Sequence, residues 1–280
     1  MRRRACIDYD QPMSKNRKQI LLTNDDGIRS PGLWAAAQAL APLGFVTIAA
    51  PREQYSGSGR SLPVTSDGRI TRQTLQIGSQ QWTAYAIGGT PAQSVLHACL
   101  EILPQKPDLV VSGINYGENV GSGVTVSGTV GAALEAASMG IPAIAVSLQL
   151  CEDLWLTHDQ SIDFSGAAYF ASLFAGWMLS HKLPADMDLL KIDVPSDANA
   201  TTPWRLTRLA RHRYWDPLVR RENGWDSQAR IDGGVTVKPD QFERDTDIRT
   251  LFDGEVTVTP LSIDMTSRLD LSALEKEIRS

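Results

Sequence analysis

The chain has 280 residues, of which 42% are hydrophobic and 21% charged, with a formal net charge of −5. That is a globular composition, long enough for one large domain or for a domain with a sizeable appendage. The acidic balance excludes a global basic field for a nucleic-acid polymer, so an action on phosphates would need a local device against repulsion, of which a metal ion is the simplest.

Cys6, Cys99 and Cys151 lie far apart and form neither a CxxC pair nor a disulfide framework, which predicts free thiols in a reducing, cytoplasmic compartment. The four histidines are scattered without an HExxH pattern, so a zinc site is not expected. MRRRAC at the start is followed by no apolar stretch of signal type, and no apolar run is long enough to cross a bilayer. The polar, aperiodic residues 1–17 are read as a disordered extension or a misplaced start, outside the fold.

Gln19 to Thr23 (QILLT) has the pattern of a buried parallel strand. Ser30-Pro31-Gly32 predicts a helix start, with Pro at the first helical position and the helix running towards Gly44. FVTIAA, Phe45 to Ala50, is a second buried strand. Strand, helix, strand is the unit of a parallel sheet, so the fold class is α/β. Alternating segments near Arg69 to Gln73 and Trp82 to Ile87 predict a β-hairpin excursion. Thr90-Pro91 opens a helix through AQSVLHACLEIL, on which His97 is read as structural. DLVVSGIN, Asp108 to Asn115, is a third strand. After a Gly-rich loop come a helix from about Thr129 to Met139, the strand AIAVSL, a long helix from about Asp163 to Ser180, and the strand in LLKIDVP.

Residues 18–195 are thereby read as the catalytic domain. From about Ser196 the character changes to a β-rich extension, residues 196–280, read as an arm for oligomer contacts. It contains Arg205, Arg208, Arg211, His212 and Arg213 beside Trp204, Tyr214 and Trp215. That stretch could hold phosphates or stack bases, but an exposed strand with salt-bridged arginines is the preferred reading.

The chemistry points to TNDDG, Thr23 to Gly27. Asp25 and Asp26 stand at the carboxyl end of the first strand, where ligands of open α/β sheets bind, and Gly27 permits a positive φ. A dinucleotide site would need GxGxxG here. Two carboxylates instead argue for a hard cation with oxygen ligands, Mg²⁺, Mn²⁺ or Ca²⁺. The loops YSGSGRSL (Tyr55 to Leu62) and SGINYGENVGSGVTVSGTVGAA (Ser112 to Ala133) should open on the same edge and supply Ser56, Asn115 and Asn119. Ser127-Gly128-Thr129 at a helix start offers free N–H groups to a phosphate. A serine hydrolase is disfavoured because no GxSxG elbow occurs.

TNDDGIRSPG, AAPREQYSGSGRSL, GTPAQSV, PDLVVSGINYGENVG and SGTVGAALEAASMGIPAIAVSL together resemble the SurE family, the stationary-phase survival nucleotidases. The resemblance implies a Rossmann-like three-layer α/β/α domain with a mainly parallel sheet. It also implies a C-terminal β-rich extension swapped between subunits of a homodimer or homotetramer. The implied activity is a 5′/3′-nucleotidase acting on nucleoside monophosphates, with short polyphosphate as a side substrate. Carried over by motif, one divalent cation per subunit would sit on Asp25, Asp26, Ser56 and Asn115, with Ca²⁺ able to take the place of Mg²⁺ or Mn²⁺ in crystals. Asn24, Gly113, Asn119, Ser127, Gly128 and Thr129 would line the phosphate, and Asp25 and Asp26 would be catalytic. The chain departs from the family pattern at Gln93 and Ser94, and in KIDVP, Lys191 to Pro195, where NINVP is usual. The alternative reading is a non-catalytic nucleotide or metal sensor on the same fold.

Overall fold

A computed structural model of the chain describes residues 17–77 and 80–280; the extension expected over residues 1–17 lies, Arg17 apart, outside the described residues. The first apolar run forms β1 (Gln19–Thr23), wholly buried, and Pro31 opens α1 (Pro31–Leu40) where its missing N–H removes no helical bond. Ser30 is the extended N-cap residue, but its side chain caps nothing. β2 (Phe45–Pro51) follows.

β3 (Ile70–Ile77) and β4 (Gln80–Ile87) pair antiparallel, and β4 also pairs parallel with β2, Ile48 opposite Ala84. The predicted hairpin excursion is thus an edge of the main sheet, because Ala84, Ala86 and Ile87 bury completely or nearly so against it. α2 (Pro91–His97) starts with a capping box in which Gln93 N donates to Thr90 Oγ1 at 3.2 Å and Thr90 N donates to Gln93 Oε1 at 3.0 Å. Gln93, one of the departures from the family pattern, therefore serves as a cap. His97 Nδ1 lies 2.5 Å from Glu101 Oε1, in keeping with a structural role.

β5 (Leu109–Tyr116), α3 (Gly128–Ser138), β6 (Ala143–Leu148), α4 (Ser165–Ser180) and β7 (Leu189–Val194) complete the parallel part. Further elements are β8 (Trp204–Leu206), β9 (Trp215–Arg221), β10 (Ala229–Val235), α5 (Asp247–Phe252), β11 (Val256–Leu261) and α6 (Leu271–Arg279).

Among the described residues the main sheet runs β3-β4-β2-β1-β5-β6-β7-β11-β8. β11 lies antiparallel to β7, with Val258 opposite Ile192, and β8 lies parallel to β11. The chain past residue 196 therefore contributes two strands to the main sheet, while β9 and β10 pair only with each other. Arg205 on β8 pairs with Glu255 at 3.0 Å and Arg208, beyond the strand, with Asp245 at 2.8 Å, so these two arginines are exposed and salt-bridged, whereas Tyr214 of the same stretch is buried.

Successive residues of β1 bury on opposite faces, as the period of a strand requires. Ile20 and Leu22 pack with Leu33 and Leu40 of α1 and Phe170 and Phe174 of α4, whereas Leu21 packs with Val95 of α2 and Val130 and Ala133 of α3. Each such fully buried side chain contributes roughly 1.5–3 kcal/mol. The result is the expected three-layer α/β/α fold. β1 pairs parallel with β2 on one side and with β5 on the other, so the connections diverge between β1 and β5, and the carboxyl ends of these two strands are where ligands of such sheets bind.

Candidate functional site

The turn after β1 is closed by Asn24, whose Nδ2 donates to Gly27 O at 3.0 Å and whose Oδ1 accepts from Gly27 N at 3.1 Å. Gly27 takes φ +92, the positive value expected of it. With the turn locked, the two aspartates diverge. Asp25 Oδ1 accepts a hydrogen bond from Thr129 Oγ1 at the start of α3. Asp26 turns the other way: its Oδ1 accepts from Gln54 Nε2 at 3.0 Å and its Oδ2 from Tyr116 N at 3.2 Å. Gln54 Nε2 also donates to Trp155 O at 3.2 Å, joining the loop after β6 to the acidic turn.

Both carboxylates are buried, 4% exposed for Asp25 and 1% for Asp26. Burial pushes the Asp25 carboxyl up to about 6, against the hydrogen bond from Thr129, which lowers it. Asp26 is raised well above its ordinary value, first by burial and then by the charge of Asp25. No cationic side chain offsets either charge, and no group of three His, Cys, Asp or Glu surrounds them, among the described residues. Two adjacent desolvated carboxylates with only neutral oxygen and nitrogen neighbours are a donor set suited to a hard divalent cation.

The serine loop packs on the start of α3. Tyr55 N donates to Asp25 O at 2.7 Å, Gly59 N to Val126 O at 2.9 Å, and Arg60 pairs with the buried Glu135 at 2.6 Å. Ser56 is exposed and its side chain makes no hydrogen bond to the aspartates. Ser58, two residues on, has a buried hydroxyl without a hydrogen-bond partner. A Cβ placed on Gly128 would stand 2.8 Å from Asp25 Oδ2 and 2.9 Å from Ser58 Oγ, so these two oxygens and the α3 start enclose one small cradle. Ser127 caps α3, accepting from Val130 N at 3.1 Å.

Asn115 lies on β5 with its Nδ2 donating to Gly117 O at 2.6 Å, and Gly113 on the same strand is backed by Val146 of β6. Asn119 Nδ2 donates to Ser147 Oγ at 2.9 Å. The structure thus gathers Asp25, Gly128 and Thr129 about the cradle, with Ser127 as the cap of the same helix start, and sets Asn24 in the turn itself. Sequence reasoning missed Gln54, Ser58 and Tyr116. Ser58 lies inside the Tyr55 to Leu62 loop, but nothing in SGSG distinguishes an inward serine from an outward one. Tyr116 acts through its backbone, which no side-chain motif can report.

A doubly wound α/β chain with an acidic centre at the strand carboxyl ends, facing a helix start, is the class that fold and site define. The family described as Survival protein SurE matches residues 20–216, and the chain belongs to that family. The 5′-nucleotidase SurE of Methanosarcina acetivorans is 40% identical over 265 residues, covering 92% of this chain and 97% of that protein. That of Thermococcus gammatolerans is 42% identical over 258 residues, covering 92% and 94%. A crystal structure of the SurE protein from Aquifex aeolicus superimposes with a TM-score of 0.71 at 30% identity, covering 94% of this chain and all of that one. The resemblance drawn from the motifs is borne out, as is the mainly parallel α/β fold.

Proposed function

We propose that the chain is a divalent-metal-dependent phosphohydrolase of the cytoplasm, a 5′/3′-nucleotidase releasing phosphate from nucleoside monophosphates, with short polyphosphate as a side substrate. The observation that carries this reading is the pair of adjacent, buried, uncompensated carboxylates beside the start of α3. Asp25 and Asp26 would hold one Mg²⁺ or Mn²⁺, with Asn115 and a serine of the Tyr55 to Leu62 loop as neutral oxygen donors. Such a cation supplies Lewis acidity towards a phosphoryl oxygen and a more acidic water.

The protein's own groups do the rest. Asp25 orients the attacking water, and its carboxylate is kept in place by Thr129. The N–H groups of Gly128 and Thr129, which face the Asp25 carboxylate in this structure, and the helix dipole would stabilise charge on phosphoryl oxygens bound beside it. Ser58 Oγ, buried and unpartnered at the cradle, donates to the same phosphate. Ser58→Ala is then expected to lower kcat/KM about tenfold while leaving stability unchanged or up to about 1 kcal/mol higher, since an unsatisfied buried hydroxyl is removed. Ser56→Ala, measured alongside, reports which serine serves the site. If Ser58→Ala turns over like the wild type, the hydroxyl has no part in binding.

The arm reading extends to assembly. Leu218, Val219, Trp225 and Ile231 on and between β9 and β10, and Leu271, Leu274 and Ile278 on α6, are exposed, and a swapped contact in a homodimer or homotetramer would cover them. Light scattering at a monomer mass would refute it. No helix among the described residues is long and apolar enough to cross a membrane.

The deciding experiment is a panel of nucleoside monophosphates and polyphosphate assayed with Mg²⁺, Mn²⁺ and EDTA. Phosphate release that depends on the metal and vanishes with chelator is expected. No release from any nucleotide at any metal concentration would leave the sensor reading in its place.

A further inference from the structure

Lys191 of β7 is 0% exposed, and so are its partners Asp193 and Asp247. Its ammonium donates to Asp193 Oδ2 and, at 3.1 Å, to Asp247 Oδ2. Burial alone would push the ammonium down, but the two carboxylates hold it above its ordinary value. Backbone amides occupy the two carboxylate oxygens that Lys191 leaves and share a third. Asp193 Oδ1 accepts from Asn119 N at 2.7 Å, Asp247 Oδ2 from Gly121 N at 2.9 Å, and Asp247 Oδ1 from Ala210 N at 2.8 Å and Ile248 N at 2.9 Å. All four carboxylate oxygens of the pair are therefore hydrogen-bonded, a condition under which buried charges are tolerated.

Its placement is informative. Asn119 and Gly121 root the loop between β5 and α3, whose far end, Ser127 to Thr129, is held by Asp25. The same loop root is backed by the C-terminal segment: Ser122 N donates to His212 O at 2.9 Å, and Tyr214 donates to Glu118. Within this loop Val120 and Val124 bury their side chains, Val120 beside Ala210, Tyr214 and Ile248, while the glycines and small polar residues around them depend on backbone hydrogen bonds for their path. Without an ammonium between them, Asp193 and Asp247 would be two uncompensated buried charges, and the amides they accept from would have to move or accept from protonated acids.

We propose that Lys191 is a positioning residue for substrate binding. By offsetting part of the charge of Asp193 and Asp247 it keeps them as acceptors for the Asn119 and Gly121 amides, and so assembles the β5–α3 loop and the C-terminal segment as one unit. The kinetic arm of the test rests on the nucleotidase reading; the amide-exchange arm does not.

Lys191→Met keeps the length of the side chain and removes its charge. Amide exchange at Asn119 and Gly121 is expected to accelerate by about tenfold or more, and KM for a nucleoside monophosphate to rise about tenfold, with kcat changed less than about twofold. The double variant Lys191→Met with Asp193→Asn restores the wild-type net buried charge and still offers an amide oxygen to Asn119 N. Its Asn119 protection and its KM should return to within about threefold of wild type, and it serves as the readout if Lys191→Met alone does not fold. Unchanged exchange and KM in folded Lys191→Met would overturn the proposal, as would loss of Asn119 protection in the double variant. Absence of phosphate release from the wild type would count against the nucleotidase reading only, and the exchange data would still decide the role of Lys191.

Discussion

Asp25→Asn is expected to lower phosphate release from a nucleoside monophosphate by roughly 10²–10³-fold or more, with the fold retained. The asparagine is isosteric and its oxygen can still accept from Thr129 Oγ1. What disappears is the charge. One carboxylate of the pair can no longer grip a divalent cation with a full negative charge, and the group assigned to orient the water becomes a weaker acceptor. Stability should hold or increase, because Asp25 and Asp26 are adjacent, buried and mutually repulsive, and sites arranged this way trade stability for function. Turnover measured with saturating Mn²⁺, together with a thermal melt in chelator, separates the two effects. Wild-type-like turnover in a folded variant would remove Asp25 from the mechanism.

Gly128→Ala carries the second large effect. Alanine is ordinarily the better helix former by about 1 kcal/mol, so a purely local account forecasts stabilisation. The added methyl would stand 2.7 Å from Asp25 Cβ, 2.8 Å from Asp25 Oδ2 and 2.9 Å from Ser58 Oγ. Asp25 cannot withdraw easily, since its carbonyl accepts from Tyr55 N and its carboxylate from Thr129. Sterics therefore win: a loss of about 1–3 kcal/mol in stability and about 10²-fold in kcat/KM is expected. Gly123→Ala, where nothing lies within 4 Å of the new methyl, should behave like the wild type. Equal activity of the two variants would show that the cradle at Gly128 is not where phosphate sits.

Much of this molecule can be read from local pattern. β1 and β6 follow from their apolar runs alone, because a strand buried on both faces has no polar residues to interrupt it. NDDG at the end of β1 announces the acidic centre, since a strand-to-loop turn with Gly27 at positive φ is a property of four adjacent residues. The capping of α2 and α3 is likewise local, Thr90 with Gln93 and Ser127 with Val130. Tertiary structure alone decided what lies far apart in sequence. β11 closes on β7 across more than 60 residues, and β4 joins β2, through pairings that no short-range period encodes. The inward serine is Ser58 because packing of Gly59 on α3 sets the rotation of that loop. Lys191, read from sequence as one residue of an apolar strand, has its partner Asp247 on α5, 56 residues on. A charge can be buried only where several distant segments bring it enough hydrogen bonds, and that condition becomes visible only once the chain is folded.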